Sequence, residues 1–421
     1  MALLFPMNLA KFASFLITLF VILVVGDCIC IICRISPCPK TNPPLPIETV
    51  FQLPSSLPVW PSDGIGFIWL PKCPDGYKAL GHVVTNSTQK PSPDKIRCVK
   101  AELTEQCEHY KWIWGAKGFN VYTTRPSNRG TQAMGVHLGS FVAQVGGIMS
   151  DIACLKNSKF DLFAMPTLDQ LKPLIDAYAL WVYFHPDEKY RPATVEWFFE
   201  NEGLLYKKGD EANPVTILPD GSNLPQGGSD DNAYWLDVPP DSDARDKLER
   251  EDFAKAKVYV HVKPMFGATF TDIVIWMYYP FNGPATIKFR IFNIKFDHLG
   301  EHTGDWEHVT LRVNNFNGEL QSIYLFEHRG GKWVDATDIE FQDHNKAAHG
   351  HAFYSKPGLV LDGSDGIGLG NDCEKADLYL DTGFFYTLLS AEVFYKLPIK
   401  ILEEEGPTSI KTKSSWCGDE I

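Results

Sequence analysis

The chain has 421 residues and a formal charge of −13, with 13% aromatic residues, 33 glycines and 29 prolines. This composition excludes a disordered chain and fits a β-rich, turn-rich globular protein of two domains or one large composite. The acidity and the lack of a basic stripe argue against a nucleic-acid partner. They are compatible with a divalent cation and leave the oligomeric state open.

Residues 1–33 hold a charge-free apolar run, Phe12 to Val25, preceded by Lys11. Its length suits the core of a signal peptide better than a full membrane span, which needs about 20 residues. Ile29-Cys-Ile-Ile32 extends the apolar character past Asp27, so an anchor is the second reading. The expected location is accordingly a membrane or the secretory pathway and vacuole. If the run is not a targeting signal, the chain is cytoplasmic and membrane-associated. Cys28, Cys30, Cys33 and Cys38 cluster beside the run without a zinc spacing. Residues 34–58 are proline-rich and read as a linker.

Residues 59–160 show short apolar runs between turn residues, such as Gly66-Phe-Ile-Trp-Leu70 and Phe119-Asn-Val-Tyr122, and read as an all-β domain. Cys73, Cys98, Cys107 and Cys154 lie here, either paired in an oxidising compartment or as buried thiols. Residues 161–256 read as a helical bridge and surface loop. Thr167 is an N-cap for a helix carrying Leu168, Leu171, Leu174, Ile175 and Tyr178 at helical spacing. Pro192 opens a second helix with Trp197, Phe198 and Phe199 as core. The segment from Asp210 to Asp241 reads as a polar surface loop, and Ala244 to Ala254 as helix. Residues 257–396 are β-like again, with strands expected at Val258–Val262, Ile273–Tyr279, Ile287–Phe292, Glu307–Val313 and Ile323–Phe326. A two-sheet sandwich is the natural packing for such a set. Residues 397–421 form a C-terminal tail.

The chemistry concentrates at His302-Thr-Gly-Asp305-Trp-Glu307-His308. Period-2 alternation puts Asp305 and Glu307 on the face of Val309, Leu311 and Val313, which points at a core. Two carboxylates there are costly unless neutralised. Either a hard cation does so, or the carboxylates sit at an exposed strand start and pair with Lys or Arg. His302, Asp305 and Glu307 are the expected ligands, with Asp297 as a further oxygen. The donor set suits magnesium, calcium or manganese better than structural zinc. Seven of the twelve histidines fall between His298 and His351, and His308, His349 and His351 are candidates for ligand binding or proton transfer. The Gly-rich Gly366-Ile-Gly-Leu-Gly370 lacks the Lys-Ser/Thr of a phosphate loop, and no nucleophile elbow is present.

Several of these segments carry a resemblance. The chain resembles the plant vacuolar protein sorting-associated protein 62-like family at Trp69-Leu-Pro-Lys-Cys-Pro-Asp-Gly-Tyr-Lys-Ala-Leu-Gly81, Val182-Tyr-Phe-His-Pro-Asp-Glu188 and Glu196-Trp-Phe-Phe199. The likeness continues at Tyr259-Val-His-Val-Lys-Pro264, Tyr279-Pro-Phe-Asn-Gly-Pro284 and Gly300-Glu-His-Thr-Gly-Asp-Trp-Glu-His308, and covers roughly 48–396. The family name implies trafficking and carries no established biochemical activity for plant members. The first motif is also similar to segments of lipid-transport vacuolar sorting proteins and β-prism membrane modules, which implies membrane contact by the N-terminal domain.

His302, Asp305, Trp306 and Glu307 further resemble the Gly-His-Arg-His-Asp-Trp-Glu motif of necrosis- and ethylene-inducing-peptide-like cytolysins. In those β-sandwich proteins the His, Asp and Glu hold a divalent metal that helps bind sphingolipid sugar headgroups. Tyr278-Tyr-Pro-Phe-Asn282 is similar to the strand leading into that site, with Asn282 where the cytolysins have an aspartate ligand. Gly304 replaces their second histidine and the connection to His302 is longer, so lytic activity is not implied. The resemblance implies His302, Asp305, Glu307 and Asn282 at the metal, with Trp306 beside the ligand.

The expected architecture is mainly β: an N-terminal β-prism-like domain, a short helical bridge and a C-terminal β-sandwich. The expected function is non-catalytic, cation-dependent binding of a membrane lipid or glycan headgroup. One alternative is a metal-independent trafficking adaptor. The other is a metal-dependent hydrolase with His308 or His349 as proton carrier.

Overall fold

The computed structural model describes residues 47–52, 379–381, 386–388, 414–420 and, with short breaks, 66–339; the breaks are 117, 146–150, 159–161, 163, 184–188, 226–232, 251–254, 284–285, 290–291, 296–300 and 328–329. The protein is mainly β, with several antiparallel sheets. It divides into two compact units, Met1–Asn128 with Met134–Lys159, and Arg129–Ala133 with Phe160–Ile421. Among the described residues no helix is long and apolar enough to cross a membrane. The apolar run and cysteine cluster of the N-terminus lie outside the described residues.

The first unit contains a three-stranded sheet of Ile47–Gln52, Phe67–Pro71 and Val83–Thr85. It also contains a five-stranded sheet in the order Gly135–Val136, Ala153–Lys156, Thr104–Ala116, Phe119–Pro126, Phe141–Val145. Phe67 and Trp69 alternate with Ile68, so the Phe67–Pro71 strand feeds two apolar clusters, one with Ile96 and one with Phe119, Val121 and Ala143. The Trp69 indole donates to Thr85 Oγ1 at 2.8 Å. Disulfides join Cys73 to Cys98 and Cys107 to Cys154.

The second unit opens with helix α1, Leu168–Tyr178. Thr167 starts it as the spacing predicts, and Gln170 Oε1 reaches back to accept from the Thr167 backbone N–H at 2.9 Å. Leu168, expected on the apolar stripe, is the first helical residue and is exposed. Helix α2, Val195–Glu200, is capped by Thr194 rather than opened by Pro192, because the Thr194 hydroxyl accepts from Trp197 N at 3.1 Å. Helix α3 spans Ser242–Glu249, shorter than the expected 244–254 and shifted towards its Asp241 cap.

The central sheet of this unit contains β1 (Val258–Met265), β2 (Phe270–Asn282), β3 (His302–Asn314), β4 (Leu320–Glu327), β5 (Gly330–Asp335) and β6 (Tyr386–Leu388), in the order β5-β4-β3-β2-β1-β6. Pairing is antiparallel except for β6, which lies parallel to β1. Every residue of β2 is buried, which requires cover on both faces. One face, from Ile273, Ile275, Met277, Tyr279, Val309, Leu311 and Val313, is packed by Leu171 and Ile175 of α1. The other, from Val274, Trp276, Tyr278 and Trp306, is packed by Val195, Phe198 and Phe199 of α2, Leu248 of α3 and Trp416 of the short helix α4 (Ser414–Cys417). The segment expected as a bridge therefore packs on the sheet.

Two loops differ from expectation. The 210–241 stretch contains strands Val215–Thr216 and Tyr234–Asp237, which flank Leu204–Lys207 in a three-stranded sheet. It is polar overall, but Ile217, Leu224 and Val238 are spaced to dip into the core. The run expected as one strand at Ile287–Phe292 is a hairpin, Thr286–Phe289 paired with Phe292–Lys295.

Candidate functional site

Register fixes the site. β2 runs antiparallel to β3 with Asn282 opposite His302, Tyr279 opposite Asp305 and Met277 opposite Glu307. Asp305 and Glu307 fall on the face of Tyr279 and Met277, and the two carboxylates are 8% and 5% exposed. His302 Nε2 stands 3.7 Å from Asp305 Oδ1. The same carboxylate oxygen accepts from Trp306 N at 2.7 Å, which fixes its rotamer. Asn282 Nδ2 lies 3.4 Å from His302 Nδ1, on the opposite ring nitrogen from Asp305. Asn282 therefore contacts the imidazole from behind and orients it, where the sequence suggested a ligand alongside Asp305.

Gly304 permits this arrangement. Its φ is +80°, a left-handed conformation inside a strand, where a side chain is disfavoured. A Cβ there would sit 3.4 Å from the Tyr278 hydroxyl and 3.5 Å from Leu236. Burial, and then the nearby Asp305 charge, push the Tyr278 phenol far up, so it stays neutral. Thr303 donates to Asp237 Oδ1 at 3.3 Å, tying the strand start to the three-stranded sheet.

The other expected residues are placed elsewhere. Trp306 lies on the opposite face, packed against Tyr259 and Tyr278 in the apolar core. His308 is 1% exposed on that same face, beside Trp276 with ring centroids 4.3 Å apart. Alternation separates both from the carboxylates, because odd and even residues of a strand point opposite ways. Asp297, His349 and His351 lie outside the described residues. Among the described residues, no group of three or more His, Cys, Asp or Glu side chains is gathered closely enough to hold a metal.

Sequence reasoning missed a buried charge network on the His308 face. Arg312 makes two 2.8 Å bonds to Asp272 and one of 2.6 Å to Asp419. Arg129 pairs with Asp419 at 2.9 Å. Lys263 donates to the Ser415 and Gly418 carbonyls and lies 3.7 Å from Glu420, which also accepts from Thr310 at 2.7 Å. The available signal was the polar Lys263, Asp272, Thr310 and Arg312 inside strands otherwise apolar.

Comparison with known proteins adds the family. The model for vacuolar protein sorting-associated protein 62 matches residues 60–396. The chain belongs to that family. No curated protein matches it. Among solved structures, this Vps62 family member is similar to Necrosis and Ethylene inducing Protein 2 from the causal agent of cocoa's Witches Broom disease, at 15% identity and a TM-score of 0.27, covering 53% of this chain and 78% of that one. It is also similar to NLPPya in complex with glucosamine, at 14% identity and a TM-score of 0.29, covering 55% and 81%. A third similar structure is NLPPya in complex with mannosamine, at 14% and 0.25, covering 53% and 91%.

Proposed function

We propose that this Vps62 family member is a non-catalytic binding protein that takes a divalent cation at His302, Asp305 and Glu307 and through it recognises a lipid or sugar headgroup at a membrane. One observation carries the reading: the carboxylates of Asp305 and Glu307 are buried on one sheet face, and His302 Nε2 reaches within 3.7 Å of Asp305 Oδ1. One imidazole with two carboxylates suits a hard or borderline cation, and a single ion about 2.0–2.5 Å from each donor spans that gap. Glu307 would close in as the third donor when the ion binds.

Asn282 is the control on this site. With its amide nitrogen towards Nδ1, it donates to the ring and places the imidazole proton on Nε2, facing Asp305. Turned by half a rotation, its carbonyl accepts from Nδ1–H and leaves the Nε2 lone pair for a cation. The first arrangement supports a second reading, a metal-independent trafficking adaptor in which the His302–Asp305 pair is structural. The two disulfides support an oxidising compartment, the secretory pathway or vacuole, as the place of action.

The test is metal content of the purified chain after exposure to magnesium, calcium or manganese, wild type beside Asp305→Ala/Glu307→Ala. Near-stoichiometric metal in the wild type alone, with headgroup binding abolished by a chelator, is expected. Metal in neither protein overturns the proposal and leaves the adaptor reading.

A further inference from the structure

The face of the central sheet opposite Asp305 and Glu307 carries a row of charge. Register lines up Lys263 of β1, Asp272 of β2 and Arg312 of β3 across three neighbouring strands, and all three are buried. On this face the strands therefore bury two cations against one anion, an imbalance that is strongly disfavoured unless a further anion meets it. Residues 414–420 supply that anion through Asp419, on Arg312, and Glu420, 3.7 Å from Lys263. Their Ser415 and Gly418 carbonyls also accept from the Lys263 ammonium. Trp416 is 8% exposed and stacks on His261 with ring centroids 4.3 Å apart. Among the described residues the segment makes no strand pairing with the sheet, so side chains and a few carbonyls seat it.

The cleft is built by the strands and their loops. Arg312 bonds both oxygens of Asp272, and its guanidinium carbon lies 4.8 Å from the Phe266 ring centroid and 4.1 Å from that of Trp333. Phe266 is held by a backbone that is left-handed over three successive residues, Phe266, Gly267 and Ala268, at φ +50°, +66° and +61°. Two of them are not glycine, and backbone strain of this kind concentrates at binding sites. Two polar atoms stay unmet with the segment in place. Trp276 Nε1 and His261 Nδ1 are buried and have no hydrogen-bond partner among the described residues. Both rings lie beside Trp416. The segment thus neutralises the cleft without completing it, and a ligand that also meets these groups gains over it.

We propose that this face is a receptor cleft for an acidic peptide of a protein partner, with a tryptophan three residues ahead of two adjacent carboxylates, and that residues 414–420 occupy it in cis until such a peptide displaces them. The seated segment displays the chemistry the cleft takes: an indole against His261 and Trp276, and carboxylates on Arg312 and Lys263. Exchange of one acidic peptide for another leaves every buried charge paired, so it avoids the penalty of emptying the cleft. A second copy of the chain can offer its own segment only by vacating its own cleft, whereas a partner's peptide carries no such cost. A small anion matches the charge but leaves the indole subsite unfilled. This cleft needs no cation and lies on the other sheet face from Asp305 and Glu307.

The experiment uses the full chain, in the presence of a chelator, and a synthetic peptide of residues 414–420 carrying Cys417→Ser. In the chain variant Asp419→Asn/Glu420→Gln the resident segment keeps its shape and loses its charge. The peptide should bind this variant and raise its melting temperature saturably. The same peptide with Asp419→Asn/Glu420→Gln should bind roughly tenfold more weakly or worse. The wild-type chain should bind the acidic peptide at least about tenfold more weakly than the variant does, because its tethered segment competes at an effective concentration on the order of millimolar. Hydrogen exchange on the wild-type chain serves even if the variant does not fold: excess peptide should speed exchange in the chain's own 414–420, which the serine distinguishes by mass. Asp305→Ala/Glu307→Ala should leave peptide binding unchanged. No peptide binding by the variant and no displacement in the wild type would show that the segment is a fixed part of the sheet's cover, and overturns the proposal. An equal stabilisation by succinate or phosphate overturns it in favour of a small-anion site. A concentration-dependent dimer of the wild type that the peptide dissolves overturns the partner in favour of a second copy.

Discussion

His308 Nε2 lies 3.3 Å from Glu420 Oε2, joining the middle of β3 to a residue 112 positions further along the chain. Both side chains are almost fully buried. With Asp419 on Arg312 and Arg129, this contact makes the last residues of the chain part of the sheet's second face. Removing one member of a buried charge pair strands the other, at a cost of about 3–5 kcal/mol. Asp419→Ala and Glu420→Ala should each destabilise the second unit by about that amount in urea titrations. Glu420→Gln should cost less, because its amide oxygen still accepts from Thr310. Alanine variants as stable as wild type would mean that the tail is not seated in this way.

Two buried glutamates should give the stability curve opposite slopes. Burial raises the Glu420 carboxyl, but the hydrogen bond and charge of His308, with Lys263 and Thr310, outweigh it and hold the group at about 2. Its contribution is therefore present above the unfolded carboxylate range, near 4.5, and is lost as pH falls towards 2. Glu249 is pushed up to about 7 by burial, with Arg245 only partly offsetting it. Its contribution is present below about 4.5 and is lost as pH rises through 7. Urea midpoints measured against pH should lose the acid-side fall in Glu420→Gln and the rise-side fall in Glu249→Gln. Unchanged profiles in both variants would reject the assignment.

The legibility of the fold divides along physical lines. β2 is legible as a long, nearly unbroken apolar run and β3 by the alternation of Val309, Leu311 and Val313, and the placement of Asp305 and Glu307 on the face of those residues follows from parity alone. The same parity places His308 and Trp306 on the other face, and their burial there depends on which segments cover it. Those covers are short: α2 brings the core residues Val195, Phe198 and Phe199, α3 is largely polar, and both owe their helicity to the caps Thr194 and Asp241 and to docking. The partners of Arg312 and Lys263 come from sequence distances of up to 155 residues, and no local pattern marks such pairings. The contact of Asn282 with Nδ1 rather than with the Asp305 side of the ring is likewise a matter of register and rotamer.

The disulfides should matter to the first unit alone. Cys107 and Cys154 are 47 residues apart, so their bond restricts a long loop in the unfolded chain and is worth about 4 kcal/mol on the chain-entropy account. The second unit's described cysteine, Cys417, is free and exposed. Scanning calorimetry with and without a reductant should therefore show one transition moving down by many degrees while the other stays. Both transitions shifting together would show that the units do not melt independently.

Gly304 offers the sharpest probe of the site, because it bears no functional group yet sits between His302 and Asp305. Gly304→Ala places a Cβ at φ +80°, which costs about 1–2 kcal/mol, and sets it against the Tyr278 hydroxyl at 3.4 Å and Leu236 at 3.5 Å. These are ordinary contacts, so the fold accommodates the methyl and the strain falls on the backbone. Relaxing towards a regular strand would rotate the peptides on either side, swinging His302 Nε2 away from Asp305 Oδ1 and breaking the bond from Trp306 N that fixes the carboxylate. The variant should remain folded, with a modest fall in melting temperature, and, on the proposed cation-binding role, lose cation affinity by far more than that fall accounts for. Calorimetric titration with manganese beside a thermal melt separates the two effects. Full affinity in a destabilised variant would show that the left-handed turn serves the strand and not the site.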